Sequence, residues 1–160
     1  MPTLRSLHRA IARAASPRYN PLHRLSVWVD VRGVWRVQTF LLIGVGAFFG
    51  ANARYWIGVM LRELFGTTFP LGTLFVNVTG SLLLAVFVAW AARQSALALP
   101  VRSMIAVGFF GAYTTFSSFA TESIALIEAQ RWGAFLINLL GTNLLCLAGA
   151  ALGIVVGSRL

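Results

Sequence analysis

Apolar and polar positions alternate in long blocks along this chain. Four apolar runs, at about Thr39–Leu61, Leu71–Ala92, Val101–Leu126 and Ala134–Val156, are separated by short polar breaks at 62–70, 93–100 and 128–133. A helix needs roughly 20 mostly apolar residues to cross a bilayer, and each run reaches that length. The pattern predicts an all-α integral membrane protein with four transmembrane helices and both termini on one side. Residues 37–160 form that four-helix unit. Residues 1–36 are polar, rich in arginine and broken by Pro2, Pro17 and Pro21, and read as a basic extension.

The runs are not uniform. The third contains Gly108-Phe109-Phe110-Gly111-Ala112-Tyr113-Thr114-Thr115-Phe116-Ser117-Ser118-Phe119. Glycine loosens a helix, and Ser and Thr hydroxyls satisfy the backbone groups so released. A break near Gly111 to Thr115 is therefore expected, with main-chain carbonyls freed within the membrane. Such carbonyls suit a dehydrated cation. Phe116 and Phe119 are spaced i, i+3 and share a face of the helix that resumes. Aromatic edges carry partial positive charge and can touch a small anion weakly, while the hydroxyls of Ser117 and Ser118 donate hydrogen bonds. Plain packing of the two rings against lipid or core is the competing reading.

The other runs supply possible partners. Thr73, Asn77 and Ser81 recur at i, i+4, i+8 in the second run, a polar stripe that suits either a path for water or ions or the gluing of helices. Arg54 lies inside the first run, where a charge marks either a functional site or a side chain that snorkels to the interface. Gly46 with Gly50 and Gly149 with Gly153 form two GxxxG faces for close helix approach. Asn138, Gly141, Thr142 and Asn143 interrupt the fourth run. Glu122 and Glu128 read as facing the headgroup zone.

Composition and charge narrow the class. The chain of 160 residues is 58% hydrophobic and 11% charged, with a mean hydropathy of +0.80; soluble domains are about a quarter charged. Its 13 basic residues are all arginine, against Asp30, Glu63, Glu122 and Glu128, giving a net charge of +9. Arg5, Arg9, Arg13, Arg18, Arg24, Arg32 and Arg36 crowd the extension, which reads as disordered or lying on the membrane surface. Leu4, Leu7 and Ile11 fit a short amphipathic helix there, and the composition also resembles a transit peptide. Such a tail suits anionic headgroups or a topology signal rather than nucleic acid. Arg32, Arg36, Arg93, Arg102 and Arg159 fall on the side of the termini, against Arg62 and Arg131 on the other, which places the termini inside. The single Cys146 reads as a small buried hydrophobe, and His8 and His23 as solvated. No nucleotide loop, metal-ligand pattern or nucleophile motif occurs, so an enzyme is not expected.

Four motifs together resemble those of the CrcB/Fluc fluoride channel family. Gly111-Ala112-Tyr113-Thr114-Thr115-Phe116-Ser117-Ser118-Phe119 is similar to its GGxTTFSTF signature, and Pro70-Leu71-Gly72-Thr73-Leu74-Phe75-Val76-Asn77 to its PxGTLxxN motif. Gly50-Ala51-Asn52-Ala53-Arg54-Tyr55 resembles its GxxxRY, and Asn138-Leu139-Leu140-Gly141-Thr142 its NLLGS. The matches fall in order over about residues 40–157. Ala112 departs from the paired glycine, Ser118 from threonine, and the basic extension has no counterpart in compact members.

The resemblance implies a fluoride-selective channel in the cell inner membrane that lowers cytoplasmic fluoride by passive electrogenic efflux. It implies an antiparallel, dual-topology dimer with a structural, untransported Na⁺ at its centre, held by the backbone carbonyls of Gly111 and Thr114. Phe116 and Phe119 would border the fluoride pathway, with Asn77 turned toward the ion, Thr73 one turn before it, Ser118 alongside, and Arg54 as the basic residue of the first helix. Because dual topology needs balanced loop charges, the arginine bias leaves open a homodimer or a heterodimer with a paralogue of opposite bias. Two other readings compete. A small dual-topology multidrug or cation exporter needs a membrane-embedded carboxylate, and the first run has none. A non-transporting membrane assembly subunit would use the GxxxG faces alone.

Overall fold

The computed structural model describes residues 37–160, and the expectations for residues 1–36 lie outside the described residues. Long apolar runs without internal proline become long helices, and Gly and Pro punctuate them. Helix α1 (Val37–Phe65) ends at Gly66, whose φ of +54° and N–H bond to the Arg62 carbonyl (2.9 Å) close the last turn. Pro70 immediately precedes α2 (Leu71–Ala91), and Pro100 sits in the first turn of the short α3 (Leu99–Ser103).

The third apolar run, expected as one span with a break, is divided further than that. After α3 the chain widens into a π-helical stretch at Met104–Phe110, returns to one α-turn at α4 (Gly111–Tyr113), and then leaves helical geometry. Thr114 (φ −84°, ψ 161°) and Thr115 (φ −154°, ψ 112°) are extended. Helix α5 (Phe116–Glu128) follows, with the Thr115 hydroxyl capping it by accepting the Ser118 N–H at 3.1 Å. The interruption thus falls at Thr114–Thr115, at the end of the stretch where sequence placed it. Ala112 stands within α4, so the alanine at that position occupies helical backbone. Gln130 (φ 56°) turns the chain into α6 (Trp132–Gly157), with the Arg131 N–H reaching back to the Leu126 carbonyl at 2.9 Å.

Three of these helices, α1, α2 and α6, are long and apolar enough to cross a membrane. They pack through glycines where backbones meet. A Cβ at Gly46 would overlap the Met104 carbonyl oxygen, and one at Gly50 that of Phe109, so the first GxxxG face seats α1 on the π-helical stretch. On α6 the tight positions are Gly153 and Gly157, against the Leu82 and Val86 carbonyls of α2. Gly149 has looser contacts, 3.4 Å to the Val78 carbonyl.

The interior is partly polar and the outside largely apolar. Thr39, Thr73, Asn77, Thr115, Ser123, Asn138 and Thr142 are buried, whereas Phe40, Phe48, Phe49, Trp56 and Leu147 are exposed. That is the reverse of a water-soluble domain and the arrangement lipid permits, since buried polar groups there must find partners within the protein. A small apolar cluster of Val76, Phe110 and Tyr113, backed by Ala53, Ile57 and Leu84, fills the space between α1, α2 and the segment before the break.

Candidate functional site

Breaking a helix inside an apolar bundle leaves peptide groups that must be paired. Asn77, buried on α2, meets that demand. Its Oδ1 accepts the Thr115 N–H at 2.7 Å and its Nδ2 donates to the Thr115 carbonyl at 3.0 Å. The side-chain amide thus replaces the helical partner that the Thr115 N–H lost and adds a bond to a carbonyl that, at the N-cap of α5, already accepts the first bond of that helix. Of the two uses open to the polar stripe, gluing helices is therefore realised at Asn77, which leaves its second amide N–H for another acceptor.

The same exchange frees two carbonyls. In a continuous helix the Gly111 carbonyl would accept the Thr115 N–H, which here goes to Asn77. The Thr114 carbonyl would accept the Ser118 N–H, which here goes to the Thr115 hydroxyl. The Thr114 N–H keeps its helical bond to the Phe110 carbonyl, which also accepts from the Thr114 hydroxyl. Gly111 is exposed, and no atom lies within 4 Å of where its Cβ would stand. Two neutral oxygens released from helix bonding are the donor set a hard cation accepts. No group of three or more His, Cys, Asp or Glu able to hold a metal occurs among the described residues.

Beside the break, Asn77, Ser81, Thr114, Thr115, Phe116, Phe119, Thr142, Asn143 and Cys146 line a groove of ≈ 270 Å³. The Phe116 and Phe119 rings lie 5.6 Å apart at 50°. They differ in setting: Phe119 is 6% exposed and Phe116 76%. Asn77, Phe116 and Phe119 are thus gathered in one place, with Thr114 at its edge. Ser118 stays in the cap of α5, its hydroxyl accepting from Thr115 Oγ1 at 3.0 Å. Arg54 is half-buried on α1 and joins neither Asn77 nor the break by a hydrogen bond.

Thr73 belongs to a second polar place, further along α2. Its hydroxyl donates to Glu122 Oε1 at 2.8 Å, while Glu122 Oε2 is buried and has no hydrogen-bond partner. The two residues line a pocket of ≈ 100 Å³ with Arg62, Thr67 and Pro70. Alongside it, Glu122, Arg62, Thr68 and Arg131 border a wider cavity of ≈ 790 Å³. The headgroup-facing reading of Glu122 therefore missed an interior contact. The signal was its spacing, since Phe116, Phe119 and Glu122 recur at i, i+3, i+6 and share one face of α5. A third buried network, Thr142 to Asn138 Oδ1 at 3.3 Å and Asn138 Nδ2 to Ser123 at 3.0 Å, ties α6 to α5. Ser123 in turn donates to the Phe119 carbonyl at 2.7 Å, so the Phe119 backbone is anchored from α6.

Helices of membrane-crossing length around an interrupted segment, with polar groups held inside, define a multi-pass helical membrane protein. The chain belongs to the CrcB family: the family model described as CrcB-like protein, Camphor Resistance (CrcB), matches residues 41–154. Its relatives include the fluoride-specific ion channel FluC of Koribacter versatilis (strain Ellin345), 42% identical over 117 residues, covering 73% of this chain and 92% of that protein. The protein of the same name from Coxiella burnetii (strain Dugway 5J108-111) is 44% identical over 121 residues, covering 75% of this chain and 98% of the relative. That from Sorangium cellulosum (strain So ce56) is 40% identical over 124 residues, covering 78% and 98%.

Proposed function

We propose that this chain is a subunit of a fluoride-selective channel that lowers cytoplasmic fluoride by passive electrogenic efflux across the inner membrane. The observation that carries the reading is the interruption at Thr114–Thr115, opening beside a groove that holds Phe116, Phe119 and Asn77. The names of the relatives supply the ion. Fluoride is small and strongly hydrated, so a path must replace water with donors without holding the ion fast. Ring edges and amide or hydroxyl hydrogens do this, because each contact is weak. The second amide N–H of Asn77 would serve as a donor, and the edges of Phe116 and Phe119 as the flanks. Thr73, Ser118 and Arg54 would act further along the route or on its field.

A structural Na⁺ would be held by the freed Gly111 and Thr114 carbonyls, supplying a fixed positive charge near the anion path. Two carbonyls are too few for a cation's coordination shell, and Gly111 and Phe116 are exposed on the single chain. Both features favour a second copy at this face, as an antiparallel homodimer or as a heterodimer with a paralogue. The remaining apolar exterior would face lipid.

Reconstituted protein tests the reading. Liposomes loaded with fluoride should empty rapidly into a fluoride-electrode chamber once the membrane potential is collapsed. Phe116→Ile and Phe119→Ile should each abolish that efflux while leaving protein yield unchanged. Undiminished flux in both variants would remove these rings from the pathway.

A further inference from the structure

Arginine is strongly drawn to phosphate, and three arginines at one end of the bundle, with no Asp or Glu side chain beside them among the described residues, suit an anionic partner. At the end of the bundle where α2 stops, α3 begins and α6 stops, the structure places Arg93, Arg102 and Arg159 on neighbouring stretches of backbone. Arg93 Nη1 donates to the Ser158 carbonyl, which places it against the end of α6 beside Arg159. Arg102 Nη2 donates to the Gln94 carbonyl, and its Nε to the Leu97 carbonyl at 2.9 Å, which places it under the loop that Arg93 opens. Arg93 and Arg159 are exposed and Arg102 is half-buried.

The acidic residues among those described lie at the other end: Glu63 in the last turn of α1, and Glu122 and Glu128 on α5 beyond the break. There they share the surface with Arg62 and Arg131. The two ends of the bundle therefore differ in sign among the described residues. Trp90, in the last turn of α2 and paired with Phe87 at 6.1 Å, marks headgroup depth at the arginine end. Capping of helix C-termini accounts for one contact of Arg93 and for none of the contacts of Arg102 with its loop. It leaves most of the guanidinium N–H groups unused. A guanidinium matches a phosphate diester in geometry as well as in charge.

We propose that Arg93, Arg102 and Arg159 form a binding site for the phosphate of an anionic phospholipid headgroup. The site anchors this end of the bundle at the headgroups of the leaflet it meets. It is independent of the ion path, since none of the three residues lines the groove beside the break.

Native mass spectrometry of the full-length chain tests this, with phosphatidylglycerol, phosphatidylcholine and inorganic phosphate added as separate probes. The unmodified protein should retain phosphatidylglycerol in preference to phosphatidylcholine. The double variant Arg93→Gln/Arg159→Gln should lose that affinity by roughly 30-fold, from the contribution of two arginines near an anionic surface. Arg62→Gln/Arg131→Gln, at the opposite end, should leave it unchanged. Arg159→Gln alone guards against misfolding and should weaken the affinity by roughly 5-fold. Equal retention in the double variant and the parent would overturn the proposal. Displacement of the lipid by equimolar inorganic phosphate would also overturn it, by showing a free-phosphate site instead.

Discussion

Asn77 is the side chain on which the broken helix depends most directly. Thr115 is 7% exposed, and both of its peptide groups bond to that one amide. Leaving a buried donor or acceptor unpaired costs about 1–3 kcal/mol per group. Asn77→Ala orphans the Thr115 N–H and removes a second bond from its carbonyl, and no water in the hydrocarbon region replaces the lost acceptor. We expect the variant to show a clearly lowered Tm in detergent. Thr121→Ala, which removes a hydroxyl bonded only to carbonyls of its own helix, should shift Tm little. Equal Tm values for Asn77→Ala and the parent would mean that the clamp does not hold the break.

At the scale of elements, glycine contacts decide which helices can meet. Gly46 and Gly50 let α1 lie directly on the backbone of the π-helical stretch, while Gly44 on the same helix faces open space. Gly46→Val or Gly50→Val should push α1 away and cost at least about 1–3 kcal/mol, as overpacking does. The readout is loss of monodisperse protein on size exclusion. Gly44→Ala should behave as the parent; identical profiles for all three would contradict the packing. These contacts also explain what could be read in advance. Apolar run length located α1, α2 and α6, and the density of Gly, Ser and Thr located the break, because both are local properties of the chain. The π-helical stretch was not legible, because it follows from the backbone of α1 pressing on Met104–Phe110, a tertiary contact. The same limit hid Glu122: its pairing with Thr73 joins residues 49 positions apart. Asn77 could be placed on a polar face, but which of its two roles it plays depends on where Thr115 sits.

For the whole molecule, the proposed central Na⁺ makes a distinct prediction. If Gly111 and Thr114 carbonyls from two copies hold it, assembly in sodium-free medium should give protein with little or no fluoride flux, and assembly with sodium should retain it. Full flux after rigorous sodium exclusion would separate the freed carbonyls from any cation. Charge bears on assembly in the same way. An excess of arginine on the side of the termini favours one insertion orientation, so a homodimer of opposed copies requires the chain to insert both ways. Cysteine labelling from each side of the membrane distinguishes that from a heterodimer.

The proposal that most needs testing is that this chain conducts fluoride itself, passively and in preference to other anions. Current across a planar bilayer containing the purified protein measures this most directly, with a tenfold fluoride gradient and equal chloride on both sides. The reversal potential should sit near the fluoride equilibrium value, about 59 mV from zero for a monovalent ion, and should not move when the chloride gradient is varied. A reversal potential at zero, or one that follows chloride, would contradict the account.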